Sequence, residues 1–294
     1  MYLTVNKADA TAAAAAVNLY PISQSFTGKY ALKFDMWLNW ASLGSSTEHA
    51  LFGVNHTGNV ANRIGQPTSD GLFFTVAGDG GTSATSTTLR DFGVFCGGGS
   101  GAIPMLRLTS NTAFGPTPPL GPQFDNTNPG FTSLFPAKPI NGGTPAGSPG
   151  LGWVSGEVRQ ENDLITCLLN GVAIAQYTNT FDYTNGNIMV GYNDNFGSIG
   201  DASNFVLFDN IRVESVATLP VKLHSSRIVG SSFSLSFTTQ PYERYTVQRA
   251  TDLLSQNWVS YTNFAGDGTT IQLLVPLLPS TNSVVSEYFR VSCP

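Results

Sequence analysis

Charge is scarce in this sequence. Asp, Glu, Lys and Arg make up 11% of its 294 residues, less than half of the roughly 25% usual in soluble domains. The 14 basic residues are scattered, the net charge is -5 and the pI is near 5.1. A phosphate-binding face needs clustered Lys and Arg, so no nucleic acid partner is expected, and no basic run offers a membrane-surface patch. Cysteine is nearly absent as well. Cys96, Cys167 and Cys293 fit neither a CxxC nor a Cys/His metal spacing. At most one internal disulfide can form, and Cys167, inside an apolar strand pattern, is expected to be a buried small hydrophobe. His49, His56 and His224 form neither HxH nor HExxH, which speaks against catalytic zinc. Long apolar runs are missing: Ala12 to Val17 is too short to cross a membrane and lacks the basic flank of a signal peptide. No membrane insertion is expected, and an exported protein would be in its mature form. There is no GxSxG elbow, Walker loop or Rossmann fingerprint; GGGSG at Gly97 lacks the rest of a phosphate cradle.

Gly, Ser, Thr and Asn take the place of charge. A neutral polar surface of this kind is common in secreted β-proteins, and the expected location is extracellular or at the cell surface. Period-two alternation dominates, and no apolar stripe of helical period runs for three turns. In Tyr30 to Trp40, Leu32, Phe34, Met36, Leu38 and Trp40 fall on one side and Lys33, Asp35, Trp37 and Asn39 on the other. Further strands read at 51–55, 71–77, 153–160, 164–169, 172–177, 188–192 and 204–214. Asn170-Gly171 between two of them is a strong hairpin signal, because both turn residues must accept positive φ. From Gly97 to Gly152 the alternation dissolves into Pro/Gly-rich sequence, with apolar islands at 103–108 and 131–136 expected to pin it to the core. Near Leu219-Pro220 a fresh set of short strands begins (233–237, 245–248, 258–262, 271–275, 288–291), which places one domain at 1–218 and a second, small sandwich at 219–294.

Several stretches together resemble the concanavalin A-like, laminin-G-like jelly-roll domains of exported proteins from environmental bacteria such as planctomycetes and verrucomicrobia. They are YPISQSFTGKYALKFDMWLNW, SSTEHALFGVNHTG, SDGLFFTVAGDGG, GWVSGEVRQENDLITCLLNGVAIA, NGNIMVGYNDNFGS and NFVLFDNIRVE, within residues 1–217. The tail, with YTVQRATDLLSQNWVSYTN, GDGTTIQLLVP and EYFRVS, resembles a small β-domain at the ends of similar proteins. The resemblance implies an all-β chain, a concanavalin-like jelly-roll sandwich followed by a small fibronectin-like β-sandwich. Such jelly rolls commonly have a strand before the segment that matches LTVN, whereas this chain opens on it. That strand is then lacking or supplied from elsewhere, and the sheet edge around Tyr2 to Asn6 is expected to be covered by a partner chain or by the chain's own tail.

Related glycoside hydrolases carry ExDxxE on one strand, which is absent here, and hydrolysis needs two carboxylates converging across a sugar bond. Asp35 and Glu157 lie on different strands, with a structural hydrogen-bonding role as the alternative. A lyase-like set of His56, Tyr192 and Arg159 is conceivable only if the three meet. No enzyme activity is expected. Calcium is the metal whose usual loop oxygens are present, at Asp70, Asp79, Asp194, Asp201 and Asp209; the resemblance makes Asp209-Asn210 like an ion-holding pair on a last strand, and turn formation is the alternative for all five. No other cofactor is expected. For a glycan, Trp37 flanked by Asp35 and Asn39 offers an apolar plate with hydrogen-bonding neighbours, unless it packs beneath the Gly97 to Gly152 segment. His56 and the GYNDNFG loop, with Tyr192, Asp194 and Phe196, supply further rim candidates, and Asn55-His56-Thr57 is a glycosylation sequon. The leading expectation is a non-catalytic carbohydrate-binding, lectin-like or adhesive module with a polysaccharide partner. The second is a subunit of a cell-surface or extracellular filament, polymerising with copies of itself through sheet edges, and the third a hydrolase or lyase with an unrecognised site.

Overall fold

The alternation in Tyr30 to Trp40 is realised as an 11-residue strand, Lys29–Asn39, whose Leu32, Phe34, Met36 and Leu38 are 0–3% exposed while Lys33, Asp35, Trp37 and Asn39 stay half-buried on the other face. The structure, a computed structural model, describes residues 1–5, 14–40, 48–64, 68–78, 91–96, 123–124, 127, 129–139, 144–179, 183–194, 203–216, 221–240, 244–254, 257–278 and 286–293. It divides into two units, Met1–Val216 and Ala217–Pro294.

The first unit contains β1 (Tyr2–Leu3), β2 (Ala15–Leu19), β3 (Phe26–Thr27), β4 (Lys29–Asn39), β5 (Glu48–His56), β6 (Leu72–Ala77), β7 (Phe92–Cys96), β8 (Gln123–Phe124), helix α1 (Pro129–Leu134), β9 (Trp153–Glu161), β10 (Leu164–Leu169), β11 (Val172–Thr178), β12 (Asn185–Asp194) and β13 (Phe205–Ser215). Among the described residues these make two antiparallel sheets, one ordered β1-β13-β4-β9-β10-β11 and one ordered β2-β12-β5-β6-β7-β8 with β3 also on β12. The result is an all-β jelly-roll sandwich. Asn170 and Gly171 join β10 to β11 with φ of 49° and 76°, the positive values that a two-residue hairpin turn of matching twist requires.

Between the sheets lies an aromatic-rich core. Phe34 packs on Phe52 at 4.8 Å and on Phe208 at 5.5 Å, and such fully buried side chains each contribute about 1.5–3 kcal/mol. Gly156 sits directly across from Phe34 on β9. A Cβ there would stand 2.3 Å from two ring carbons, so glycine is what lets the Phe34 ring lie against the neighbouring backbone. Helix α1 closes one side of the core: Phe131 is 0% exposed and stacks on Phe92 at 3.8 Å. Of the two apolar islands expected there, 131–136 thus enters the core, while 103–108 lies outside the described residues. Cys167 is also in the core, where burial pushes its thiol pKa up, and the three cysteines are free thiols. One polar bridge crosses between the sheets: Asn55 donates to Gln160 Oε1 at 2.7 Å and accepts from the Tyr30 hydroxyl at 3.2 Å. Asn55 is 1% exposed, so the sequon is closed to glycosylation in the folded state.

The second unit holds β14 (Leu223–Val229), β15 (Ser232–Thr238), β16 (Arg244–Ala250), β17 (Val259–Ala265), β18 (Thr270–Pro276) and β19 (Tyr288–Ser292). They form two three-stranded sheets among the described residues, β14-β15-β18 and β17-β16-β19. Phe233 stacks on Phe289 at 4.7 Å across a small core with Leu235, Phe237, Tyr245, Val247 and Val275.

Candidate functional site: an aromatic row on the six-stranded sheet

Residues directly opposite on neighbouring strands share a face of the sheet. The registers Tyr2↔Leu207, Leu207↔Trp37 and Trp37↔Trp153 therefore place Tyr2, Leu207, Trp37 and Trp153 in one row across four strands, on the face turned away from the core. Trp153 is 53% exposed and Tyr2 51%. Trp37 is half-buried and meets Trp153 edge-to-face at 6.0 Å, and Phe205 extends the apolar surface by its contact with Tyr2 at 4.8 Å. Trp37 Nε1 donates to Asn39 Oδ1 at 3.4 Å and Asn39 Nδ2 to the Ser203 carbonyl at 2.7 Å, so Asn39 braces the row.

The next row holds Asp209, Asp35 and Ser155, again directly opposite one another. Asp35 Oδ2 accepts from Asn210 Nδ2 at 2.6 Å, and Asp209 Oδ1 from the Asn210 backbone N–H at 2.8 Å. Asn210 has φ 51° and marks a register shift between β13 and β4, a bulge that adds one residue to β13. The extra residue reverses the parity of the remainder of β13. Arg212 and Glu214 therefore face outward opposite Lys33 and Ala31, where a regular strand would turn them toward the core. Beyond the carboxylates stand ion pairs: Lys33–Glu214 at 2.7 Å, Arg212–Glu214 at 2.6 Å and Arg159–Glu157 at 2.8 Å.

The structure thus brings Trp37, Asp35 and Asn39 together on one face, and adds Trp153, Tyr2, Leu207 and Phe205, which sequence reasoning did not select. It removes other candidates. Tyr192 is 2% exposed in the core, because its parity on β12 points it between the sheets, so it is not a rim residue. His56 is equally buried, beside Phe73 and Tyr20 on the other side of the seven-stranded sheet. Arg159 is on the six-stranded sheet, and the lyase-like set of His56, Tyr192 and Arg159 does not converge. Phe196 and Gly97 lie outside the described residues.

His56 belongs instead to a network that closes the β5–β6 connection. Its Nδ1 lies 3.1 Å from Asp70 Oδ1, which also accepts from Asn62 Nδ2 at 2.8 Å. Asp70 Oδ2 takes the Thr57 backbone N–H at 2.6 Å and the Thr57 hydroxyl. Asn62 returns to the Asp70 N–H at 2.7 Å and donates to the Tyr20 hydroxyl at 2.8 Å. Burial by itself would raise the Asp70 pKa, but the hydrogen bonds from His56, Thr57 and Asn62 outweigh it and hold the carboxyl well below the usual range. A carboxylate so filled is a loop clamp, and Asp70 is withdrawn as a calcium ligand. Asp209 faces Asp35 on the open sheet. Asp194 is fully buried opposite Glu48, and Asp79 and Asp201 lie outside the described residues. Among the described residues no group of three or more His, Cys, Asp or Glu is placed to hold a metal.

The outer side of the seven-stranded sheet carries a second apolar cluster, Leu51, Ile64, Phe73, Phe95 and Met189, each no more than 5% exposed. Exposed aromatic surface in the first unit is therefore found on the six-stranded sheet. The second unit has an open groove of about 380 Å³ beside Arg249 and Tyr261, but its guanidinium is engaged by Glu287 at 3.2 Å.

No protein-family model matches this chain, and no curated protein matches it. Among solved structures, it is similar to the carbohydrate recognition domain of Emp47p (11% identity, 74% of this chain and 82% of that chain, TM-score 0.39). It is also similar to the exoplasmic/lumenal domain of VIP36 in a Ca²⁺- and mannose-bound form (10%, 70% and 75%, TM-score 0.37). A third, from Parabacteroides distasonis, is a candidate glycosyl hydrolase (10%, 69% and 81%, TM-score 0.33). At these identities and scores the likenesses are distant, and they concern the fold.

Proposed function

We propose that this chain is an extracellular, non-catalytic carbohydrate-binding module that holds a polysaccharide against the Tyr2–Leu207–Trp37–Trp153 row. The observation that carries the reading is Trp153, an indole 53% exposed on a sheet face beside a second indole. An indole face covers the C–H face of a pyranose, and carboxylate and hydroxyl groups beside it exchange hydrogen bonds with sugar hydroxyls. The site is open to water, so each such bond contributes only about 0.5–1.5 kcal/mol net. A few bonds and one stacked ring, less the ordering cost, correspond to a Kd nearer millimolar than nanomolar, on the order of 4–8 kcal/mol. Retention on a surface then depends on several copies acting together. The charge-poor composition supports the extracellular placement.

The test is retention of the full chain on immobilised polysaccharides, with Trp153→Ala as the variant. Its side chain is half in water, so the melting midpoint should move by only a few degrees while retention is lost. Equal retention of the variant, or a glycan array on which nothing binds, refutes the reading.

A separate observation favours assembly as a second reading. β1 is two residues long and stands at the end of the six-stranded sheet, paired with β13, which pairs with β4 on its other side. The end strand of a sheet is where a strand from another chain can be added. Sedimentation and electron microscopy test it, and a monomer at every concentration removes it.

A further inference from the structure

We infer that the polysaccharide held by the indole row carries free amino groups, with Asp35 and Asp209 meeting its ammonium ions. The inference rests on the carbohydrate-binding reading above and names the class of ligand.

Asp35 and Asp209 are directly opposite one another on adjacent strands, one row from Trp37 and Leu207. Like charges in that position repel and destabilise a sheet. The partners described for them are the side-chain amide of Asn210 on Asp35 and the Asn210 N–H on Asp209, both neutral donors. Among the described residues no Lys or Arg forms an ion pair with either carboxylate. The cations one row away, Lys33 and Arg212, are both held by Glu214. Glu214 stands opposite Ala31 and Lys33 opposite Arg212, so these cations are drawn away from the indoles. The bulge at Asn210 produces this arrangement, because it brings Arg212 and Glu214 to the outer face.

Among the described residues the face therefore presents two aromatic plates next to two carboxylates that no Lys or Arg ion-pairs. That is the combination that recognises an organic cation, since an aromatic face attracts positive charge and the carboxylates pair with it. A neutral sugar would give hydrogen bonds to Asp35 and Asp209 but leave their repulsion in place. An ammonium group between them relieves it, and the relief occurs only on binding. The indoles supply the other half of the recognition, a plate for the sugar ring, which a lysine side chain from a protein partner would use less fully.

The experiment is calorimetric titration of the full chain with fully deacetylated chito-oligosaccharide and with the N-acetylated oligosaccharide of equal length, at low salt and below the pKa of the amine. The deacetylated form should bind about tenfold more tightly, a difference of about 1.4 kcal/mol. The preference should shrink as salt screens the exposed charges. In the Asp35→Asn, Asp209→Asn double variant the two oligosaccharides should bind with equal affinity, and the melting midpoint should not fall because a repulsion has been removed. Trp153→Ala should lose both ligands. Equal affinities in the original chain, or a preference that survives the double substitution, overturns the inference and leaves the carbohydrate reading standing. Loss of neither ligand in Trp153→Ala, or no binding of any glycan, overturns both.

Discussion

Asp70→Asn replaces a carboxylate by an amide of the same shape, and the geometry around it sets the cost. The carboxylate accepts from the Thr57 N–H and hydroxyl on one oxygen, and from Asn62 and the His56 ring on the other. An amide can keep only one of those acceptors. Its NH₂ group must then face either the Thr57 N–H or the Asn62 amide, leaving a buried donor unsatisfied at about 1–3 kcal/mol and removing the charge from the remaining bonds. The expected loss at pH 7 is therefore about 3 kcal/mol. The pH dependence has a definite sign. The folded pKa of Asp70 is depressed, so its stabilisation is complete above the unfolded carboxylate value of about 3.9 and is lost as pH falls below it, at up to about 1.4 kcal/mol per pH unit. Urea unfolding followed by tryptophan fluorescence reads this well, because Trp37, Trp40 and Trp153 of the four tryptophans lie in the first unit. The gap between the original chain and Asp70→Asn should be constant from pH 7 to pH 5 and shrink by about 2 kcal/mol between pH 4 and pH 2. A cost under 1 kcal/mol at pH 7, or a gap that does not close in acid, would show that the hydrogen bonds around Asp70 do not clamp the connection.

Two further substitutions probe the core. Gly156→Ala would set a methyl group 2.3 Å from the Phe34 ring, and with Phe34 held by Phe52 and Phe208 the overpacking should cost about 3 kcal/mol in urea unfolding; a cost under 1 kcal/mol would mean that the ring has room to move. Phe131→Ala removes a fully buried ring stacked on Phe92 and should cost about 3–4 kcal/mol, whereas a surface-like loss of a few tenths would deny that α1 closes the core.

Strands were legible where side chains alternate strongly, and the reason is the burial of one face. β4 shows it best: every second residue from Leu32 to Leu38 goes to the core. β10 and β11 follow because the Asn170-Gly171 turn joins them and starts their pairing at Leu169↔Val172. β2 and β14 were not legible. Ala15–Leu19 is poor in β-branched and aromatic residues, half-buried from Ala15 to Asn18 and exposed at Leu19, so its place in the sheet depends on pairing with β12 rather than on its own preference. Leu223–Val229 is exposed along its whole length, and a strand that buries neither face leaves no alternation to read. β7, the cysteine-bearing strand before Gly97, had no readable bounds for the opposite reason. Phe92–Cys96 is buried on both faces, so it reads as a short continuous apolar run between Gly-rich stretches.

The site was half legible for the same physical reasons. Parity within one strand is enough to group Trp37 with Asp35 and Asn39, and that grouping needs no knowledge of neighbours. Trp153 joins them only through the register of β4 with β9, and Tyr2 only through β1 with β13; pairing register is a long-range property that one strand's sequence does not contain. The signal for Trp153 was nonetheless present, since it shares parity with Ser155, Glu157 and Arg159 in a strand whose other positions, Val154 and Val158, are apolar. Tyr192 failed in the same terms. Its neighbours Asn193 and Asp194 made it look like a loop rim, but β12 continues through Asp194, and the strand's parity carries Tyr192 inward with Ile188 and Val190. Asp209 shows the third case. Its sequence neighbour Asn210 suggested an ion-holding pair, whereas the left-handed φ of Asn210 makes a bulge. That bulge turns Arg212 and Glu214 outward and leaves Asp209 facing Asp35 beside the indoles, so the residue that looked like a metal ligand helps set the charge of the aromatic face.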